Sequence, residues 1–526
     1  MPVDLPDRAA TSLRALLFLT ITACTLYYVA ISLHWPMLVD SPIMHYVNFL
    51  IDHGMKPYRD ITDNNMPGAY LTERWAMTVF GGGDLGWRLY DLFLLGAITL
   101  SMVIITRPPE SDWFAGFYAG GLFTLVHASE GPIFAAEREE LLTLLLVASC
   151  ALLFSSVRRR WPALAGLFGL LAAMAASIKP TVLPFPLLAL AVLAFALRRR
   201  KISSLPYLGW AFGGMLVALA INLQFIVRYS AWQPLLFILK TVTPAYVTLN
   251  RPGLHFMLAH LAPPNLLLLA LVAAPLFLLK PRWDWERLVL LLGALLGALS
   301  FFIQQKGFFH HRYMFLAFFL LLLCQEISRA TRTPGWPRWI GAAAILLTLG
   351  LSIPHYIHLL NRVPTGSPLT RTLETDLQAL DADRLQHEVQ CFDLVYGCLN
   401  ALYHLRLVEN TGYTGDLLLF VPNRSAASDF YREKFWTLQK QRPASVFVIT
   451  NEVFGKSTSF DKLLNWPEFV TYLNANYHLA TARSFPSENH IAGAPLASDD
   501  PPAYRIYLRN GTLLPPAAPA ILPPPR

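Results

Sequence analysis

About eleven stretches of the chain approach or reach the roughly 20 predominantly apolar residues that cross a bilayer. They run over 15–35, 86–106, 113–128, 139–157, 161–178, 181–197, 205–227, 257–279, 286–303, 313–328 and 338–356, the third being short. After residue 357 the pattern changes. Leu369, Leu373, Leu377 and Leu380 recur at helical spacing, which predicts a helix within 369–385. The run Ser445–Thr450 (SVFVIT) is β-branched and aromatic and predicts a strand, 466–477 reads as a helix, and Tyr504–Leu508 (YRIYL) alternates like a strand. No repeat of solenoid length interrupts this order. The predicted fold is a polytopic α-helical membrane protein of about eleven spans with a C-terminal extracytoplasmic α/β domain. Residues 1–356 form the membrane module with a first long connector at 36–85, residues 357–512 form the α/β domain, and 513–526 is a Pro- and Ala-rich extended tail.

Composition agrees. The chain is 54% hydrophobic and 14% charged, against about 25% charged in soluble domains. Its formal net charge of +8 raises the question of nucleic acid. The cations instead cluster in alternate connectors: Arg8 and Arg14, Arg107, Arg158–Arg160, Arg198–Lys201, Lys280 with Arg282 and Arg287, and Arg329 with Arg332 and Arg338. That is the positive-inside distribution, which places these connectors and the N-terminus in the cytoplasm and leaves no nucleic-acid partner to explain. Arg8 and Arg14 precede an apolar run too long for a signal peptide, so the first span reads as an uncleaved signal anchor.

The other connectors face outward and hold the unusual polar sequence. Asp40–Pro67 contains Asp40, Asp52, Asp60 and Asp63 with Tyr58, Arg59 and Asn64-Asn65. Asp40 directly follows the first span. It is placed to act as general base on an acceptor, to hold a metal or to orient the acceptor; the plainer reading is that it caps the next helix. The Gly and Pro residues of 54–68 punctuate turns, an account that covers Asp60 and Asp63 less well. Glu137-Arg138-Glu139-Glu140 puts three acids and a cation at a membrane entrance, costly unless they are paired or functional, or unless they form a solvated helix end. Lys179-Pro180 is either a snorkelling lysine or a phosphate ligand. Gln304–Arg312 (QQKGFFHHR) joins cations, imidazoles and aromatics as a lipid-linked phosphate requires, or as headgroup anchoring would. Adjacent His310 and His311 read as a poor chelate, because helical neighbours point about 100° apart. Cys391 and Cys398 are candidates for a disulfide if their region is extracytoplasmic, whereas Cys24, Cys150 and Cys324 lie in apolar runs.

These motifs together resemble bacterial membrane glycosyltransferases of the C superfamily, relatives of protein O-mannosyltransferases and lipid A aminoarabinose transferases. The match rests on Asp40, on Gly54, Pro57, Tyr58 and Asp60, on Asp63 and Pro67, on Arg138-Glu139, on Lys179-Pro180, and on Gln304, Lys306, Gly307, Phe308 and His311. Two positions depart from the pattern: Asn65 stands where a basic residue is frequent, and Glu140 where His is frequent. The resemblance implies a transferase in the bacterial cell membrane that uses a polyprenyl-phosphate-linked sugar. It assigns Asp40 as catalytic base, Tyr58, Asp60 and Asp63 as shapers of the acceptor loop, and Arg138, Lys179, Lys306 and His311 as ligands of the donor phosphate. Some members use a divalent cation (Mg²⁺ or Mn²⁺), for which Glu139 is the candidate ligand. The rival expectation is a transporter or flippase of a lipid-linked saccharide, which would hold its polar groups near the bilayer midplane.

Overall fold

The computed structural model of the chain describes residues 7–107, 112–249, 251–278, 284–363, 366–453, 458–486 and 500–511. Each predicted span coincides with a helix over its described residues, apart from a break at 261–263 within 257–279. The chain begins with α1 (Asp7–Ser32). Two short helices, α2 (Asp40–Asp52) and α3 (Pro67–Phe80), fill the first connector. Then follow α4 (Asp84–Thr106), α5 (Trp113–Glu130), α6 (Arg138–Arg158), α7 (Ala163–Ile178), α8 (Pro184–Arg199) and α9 (Leu205–Arg228). The next connector is also helical: α10 (Trp232–Phe237) and α11 (Thr243–Thr248), joined by a π turn at Ile238–Val242, and then α12 (Leu254–His260). The bundle closes with α13 (Pro264–Leu278), α14 (Trp285–Gln304), α15 (Tyr313–Arg332), α16 (Trp336–Leu347) and α17 (Ile353–Leu360).

Among the described residues, eight helical stretches are long and apolar enough to span by themselves, and α12 with α13, bent by 70°, would make a ninth. The remaining two predicted spans, α5 and α7, are helices of 18 and 16 residues. Both are drawn close by glycine. A Cβ at Gly116 of α5 would collide with the Met102 carbonyl of α4. Cβ atoms at Gly169 of α7 and Gly214 of α9 would meet the carbonyls of Ala211 and Gly166. Such small-residue faces let helices touch backbone to backbone, which in lipid supplies the packing that hydrophobicity cannot.

The C-terminal α/β region runs α18 (Pro368–Gln378), β1 (Val389–Phe392), α19 (Cys398–His404), α20 (Ala426–Gln441), β2 (Val446–Thr450), α21 (Pro467–Asn476), β3 (Tyr477–Ser484) and β4 (Ala503–Arg509). The sheet order is β1-β2-β4-β3, with β1 parallel to β2 and the other pairs antiparallel. The strands predicted at 445–450 and 504–508 are β2 and β4, and every residue of β2 is buried. Two strands escaped the sequence pattern. β1 has only four residues, one of them Gln390, and β3 is a polar edge strand. The helix predicted within 369–385 ends at Gln378, and Asp381 in a left-handed conformation (φ 67°) turns the chain. Cys391 and Cys398 form the disulfide that joins β1 to α19. The tail at 513–526 lies outside the described residues.

The first connector is clasped between bundle and α/β region. The Tyr46 hydroxyl donates to the Leu407 carbonyl at 2.9 Å and accepts from the Glu409 N–H at 2.8 Å. Thr62 N–H donates to the Gly412 carbonyl at 2.9 Å, and Lys434 Nζ to that of Arg59 at 2.7 Å.

Candidate active site

Where the clasped connector, the bundle end and the α/β region meet, they enclose a cavity of about 710 Å³. Asp40, Asp63, Arg138, Glu139, Lys179, Lys306, His310 and His311 all line it. The opposite wall is Leu394–Tyr396, Tyr413–Gly415, Leu417–Leu419 and Glu452. Leu394–Tyr396 and Glu452 follow the carboxyl ends of the parallel strands β1 and β2, the side on which open α/β sheets place ligands.

Asp40 is the first residue of α2, preceded by Val39 at φ 61°, an unusual conformation for a β-branched residue. No side-chain cap forms at this helix start, so the capping account of Asp40 does not hold. Its carboxylate instead accepts from Arg138 Nη2 at 2.7 Å. Arg138 is the first residue of α6 and also follows a left-handed residue, Ala136 at φ 53°. Arg138 Nε is buried without a hydrogen-bond partner among the described residues. Gln305, at φ 49°, performs the same turn just before Lys306. Backbone strain of this kind gathers at functional sites because the surroundings must hold it, and here it precedes three of the cavity's charged residues.

Lys179, at the end of α7, does not snorkel. Its ammonium pairs with the Glu139 carboxylate and donates to Gln304 Oε1 at 2.6 Å. Lys306 Nζ donates to the Tyr246 carbonyl at 3.0 Å and to that of Leu249, and lies 4.4 Å above the Tyr246 ring. Burial, aided by the nearby Arg251 charge, pushes the Lys306 ammonium down to about 8.

The premise of the poor chelate, two neighbours on an α-helix, is not met. His310 and His311 occupy a 3₁₀ turn (Phe309–Arg312), with ring planes at 90° and centroids 4.6 Å apart. Glu139 lies between them, with Oε2 at 3.8 Å from His310 Nε2 and Oε1 at 3.5 Å from His311 Nε2. A ligand atom from each residue lies within 4.8 Å of the others, and Glu139 Oε2 is buried without a hydrogen-bond partner among the described residues. One carboxylate and two imidazoles fit a divalent transition ion better than Mg²⁺, which takes oxygen ligands. The sequence pattern set His310 aside as half of a poor helical chelate, because only the 3₁₀ turn brings it beside Glu139.

Two of the residues expected to shape the acceptor loop lie away from the cavity. The Tyr58 hydroxyl, itself on a residue at φ 65°, donates to the Asn65 carbonyl at 2.8 Å. Asp60 accepts from the Lys56 N–H at 2.9 Å and pairs with Arg59. Neither lines the cavity. Asp63 does, and it accepts from the Tyr70 hydroxyl at 2.8 Å and from Asn65 Nδ2 at 2.9 Å. Asn65 is thus the partner of Asp63. Glu140 does not line the cavity either; its carboxylate turns back into the bundle.

No protein-family model matches the chain, and no curated protein is similar to it in sequence. Its fold is shared with solved membrane proteins. ArnT from Cupriavidus metallidurans, bound to undecaprenyl phosphate, superposes with a TM-score of 0.55 over 95% of this chain and 98% of its own, at 14% identity. The archaeal oligosaccharyltransferase AglB from Archaeoglobus fulgidus, in complex with an inhibitory peptide and a dolichol-phosphate, gives 0.52 over 84% of this chain and 69% of its own, at 15% identity. The architecture is therefore the one the C-superfamily resemblance implies: a multi-pass helical membrane protein carrying a C-terminal α/β region.

Proposed function

We propose that the protein is a membrane glycosyltransferase that moves a sugar from a polyprenyl-phosphate carrier to an acceptor hydroxyl or amine at the extracytoplasmic face of the bacterial cell membrane. The observation behind this reading is the company Asp40 keeps: it faces a cavity that it shares with Arg138, Lys179, Lys306 and two imidazoles, drawn from separate elements. ArnT and AglB were solved with undecaprenyl phosphate and dolichol-phosphate, which makes a polyprenyl phosphate the natural carrier and its sugar-linked form the natural donor to test.

In this mechanism Asp40 takes the acceptor proton as the acceptor heteroatom bonds to the sugar's anomeric carbon. The bond from that carbon to the phosphate oxygen breaks on the opposite face, and its electron pair leaves on the lipid phosphate. The configuration inverts. A phosphate is already a good leaving group, so no general acid is required. Fixed cations offset its charge instead. Arg138 both aims Asp40 and offers Nε to the phosphate. Lys179, Lys306 and His311 complete the anion site, and Asp63 with the Tyr396–Glu452 wall receives the acceptor. A divalent ion held by Glu139, His310 and His311 would add Lewis-acid stabilisation of the same phosphate.

A flippase would hold its charges near the bilayer midplane. The cavity's charges lie instead at the helix ends beside the α/β region, which favours transfer. The test is mass spectrometry of glycolipids and surface glycans in cells carrying wild type or Asp40→Asn. The product should disappear in the variant, and an unchanged product from a correctly inserted Asp40→Asn protein rules out the base.

A further inference from the structure

Beneath the cavity, four ionisable side chains are wholly enclosed in the bundle: Arg88 and Asp91 of α4, His127 of α5 and Glu140 of α6 are each at most 1% exposed. Ionisable groups at this depth are expensive and are kept for a purpose. Asp91 with His127 and Glu140 could be taken for a second metal site. Arg88 pairs with Asp91, however, and His127 Nε2 meets Asp91 Oδ1 at 3.0 Å while its Nδ1 meets the Tyr313 hydroxyl at 2.9 Å. Both ring nitrogens of His127 are thus engaged inside the bundle, which leaves no imidazole nitrogen for an ion.

The contacts leaving the cluster reveal its use. The Ala136 N–H, on the left-handed residue two positions before Arg138, donates to Asp91 Oδ1 at 2.6 Å and to Glu140 Oε2 at 3.0 Å. Arg88 Nη2 donates to Ser32 Oγ at 2.7 Å, and its guanidinium lies 4.9 Å from the Trp35 ring. Ser32 and Trp35 lead into Asp40. One buried cluster thus grips both lead-ins, the one to Asp40 and the one to Arg138.

We infer that Arg88, Asp91 and Glu140 are positioning residues that hold the Ala136 turn and the Trp35 approach, so that Asp40 and Arg138 meet across the cavity. Glu140 thus serves the backbone at the Ala136 turn. The inference rests on the proposed function only for the ligand used as a probe.

The test is amide hydrogen exchange, read by mass spectrometry, on the full-length protein in detergent. The variants are Arg88→Met with Asp91→Leu, which removes both charges together so that neither is stranded, and Glu140→Leu. Exchange across 133–138 should quicken roughly tenfold or more in each, as a locally opened turn does, while α5 and the body of α6 stay as slow as in wild type. Glu140→Gln, which can still accept the Ala136 N–H, should restore slow exchange. Undecaprenyl phosphate should bind the Glu140→Leu variant about 10- to 100-fold more weakly, the scale of losing one hydrogen bond to a charged group. Unchanged exchange at 133–138 in Glu140→Leu overturns the inference, as does acceleration spread evenly over α5 and α6. If wild type fails to bind undecaprenyl phosphate, the donor assignment falls while the exchange result still decides the positioning role.

Discussion

Asp40 and Arg138 stand 98 residues apart in the chain and 2.7 Å apart in space. Each opens a helix, each follows a residue or a turn in a left-handed conformation, and together they join the first connector to the start of α6. The pair decides what Asp40 can do. A carboxylate that capped its own helix would be turned away from a substrate, whereas one held by Arg138 faces the cavity with its second oxygen available. Arg138→Lys tests the pairing, because an ammonium is a point charge that cannot both hold Asp40 and reach a phosphate. We expect kcat to fall about 10- to 100-fold in a transfer assay, with a melting temperature close to wild type, in line with the loss of a charge stabiliser in the transition state.

Lys306 sets a pH limit. With its pKa at about 8, the ammonium is intact below pH 8 and is lost as the pH rises through that value. Undecaprenyl phosphate should therefore bind more weakly above pH 8, and Lys306→Arg, which stays charged, should flatten the dependence. Stability moves the other way. Between about 8 and the ordinary lysine value of 10.5 the unfolded chain holds the proton and the folded chain does not, so this group makes folding more favourable as pH climbs. Weaker binding accompanied by an unchanged or higher melting temperature would separate the two effects.

Glu139, His310 and His311 should bind one Mn²⁺ or Zn²⁺ per chain. Elemental analysis of the purified protein after metal loading and desalting reads this directly. Glu139→Gln and His311→Ala should each reduce the retained metal to background. Retention of metal by both variants would move the site elsewhere.

The Cys391–Cys398 disulfide closes a short loop between β1 and α19 at the cavity wall. Replacing both cysteines by Ala should lower the stability of the α/β region by about 2–4 kcal/mol, the usual worth of a native bridge. Differential scanning calorimetry of the full-length protein in detergent, with and without reductant, would register the change. An equal melting temperature for wild type and variant would count against it.

Much of the site was legible because its residues had no reason to be where they are. Charged groups at the ends of apolar spans are costly, so Asp40, Arg138, Glu139, Lys179, Lys306 and His311 stood out as polar clusters on one side. The cluster of Arg88, Asp91 and His127 was not legible in the same way. Arg88 and Asp91 lie one turn apart at the start of an apolar run and read as an ordinary helix-surface pair, and only helix packing brings His127 of α5 and Glu140 of α6 against them. β3 was hidden because an edge strand need not alternate cleanly.

The sequence by itself determined the helical membrane architecture, because hydrocarbon forces every spanning backbone to satisfy its own hydrogen bonds. It also determined β2 and β4, whose apolar content leaves a buried strand as the economical choice. The arrangement of the cavity's side chains came only from the packing. Whether Asp40 caps or faces a cavity, whether Lys179 snorkels or pairs, and whether two neighbouring histidines act together all depend on contacts between residues far apart in the chain. Such contacts are fixed by how helices and the α/β region pack, and no local pattern encodes them.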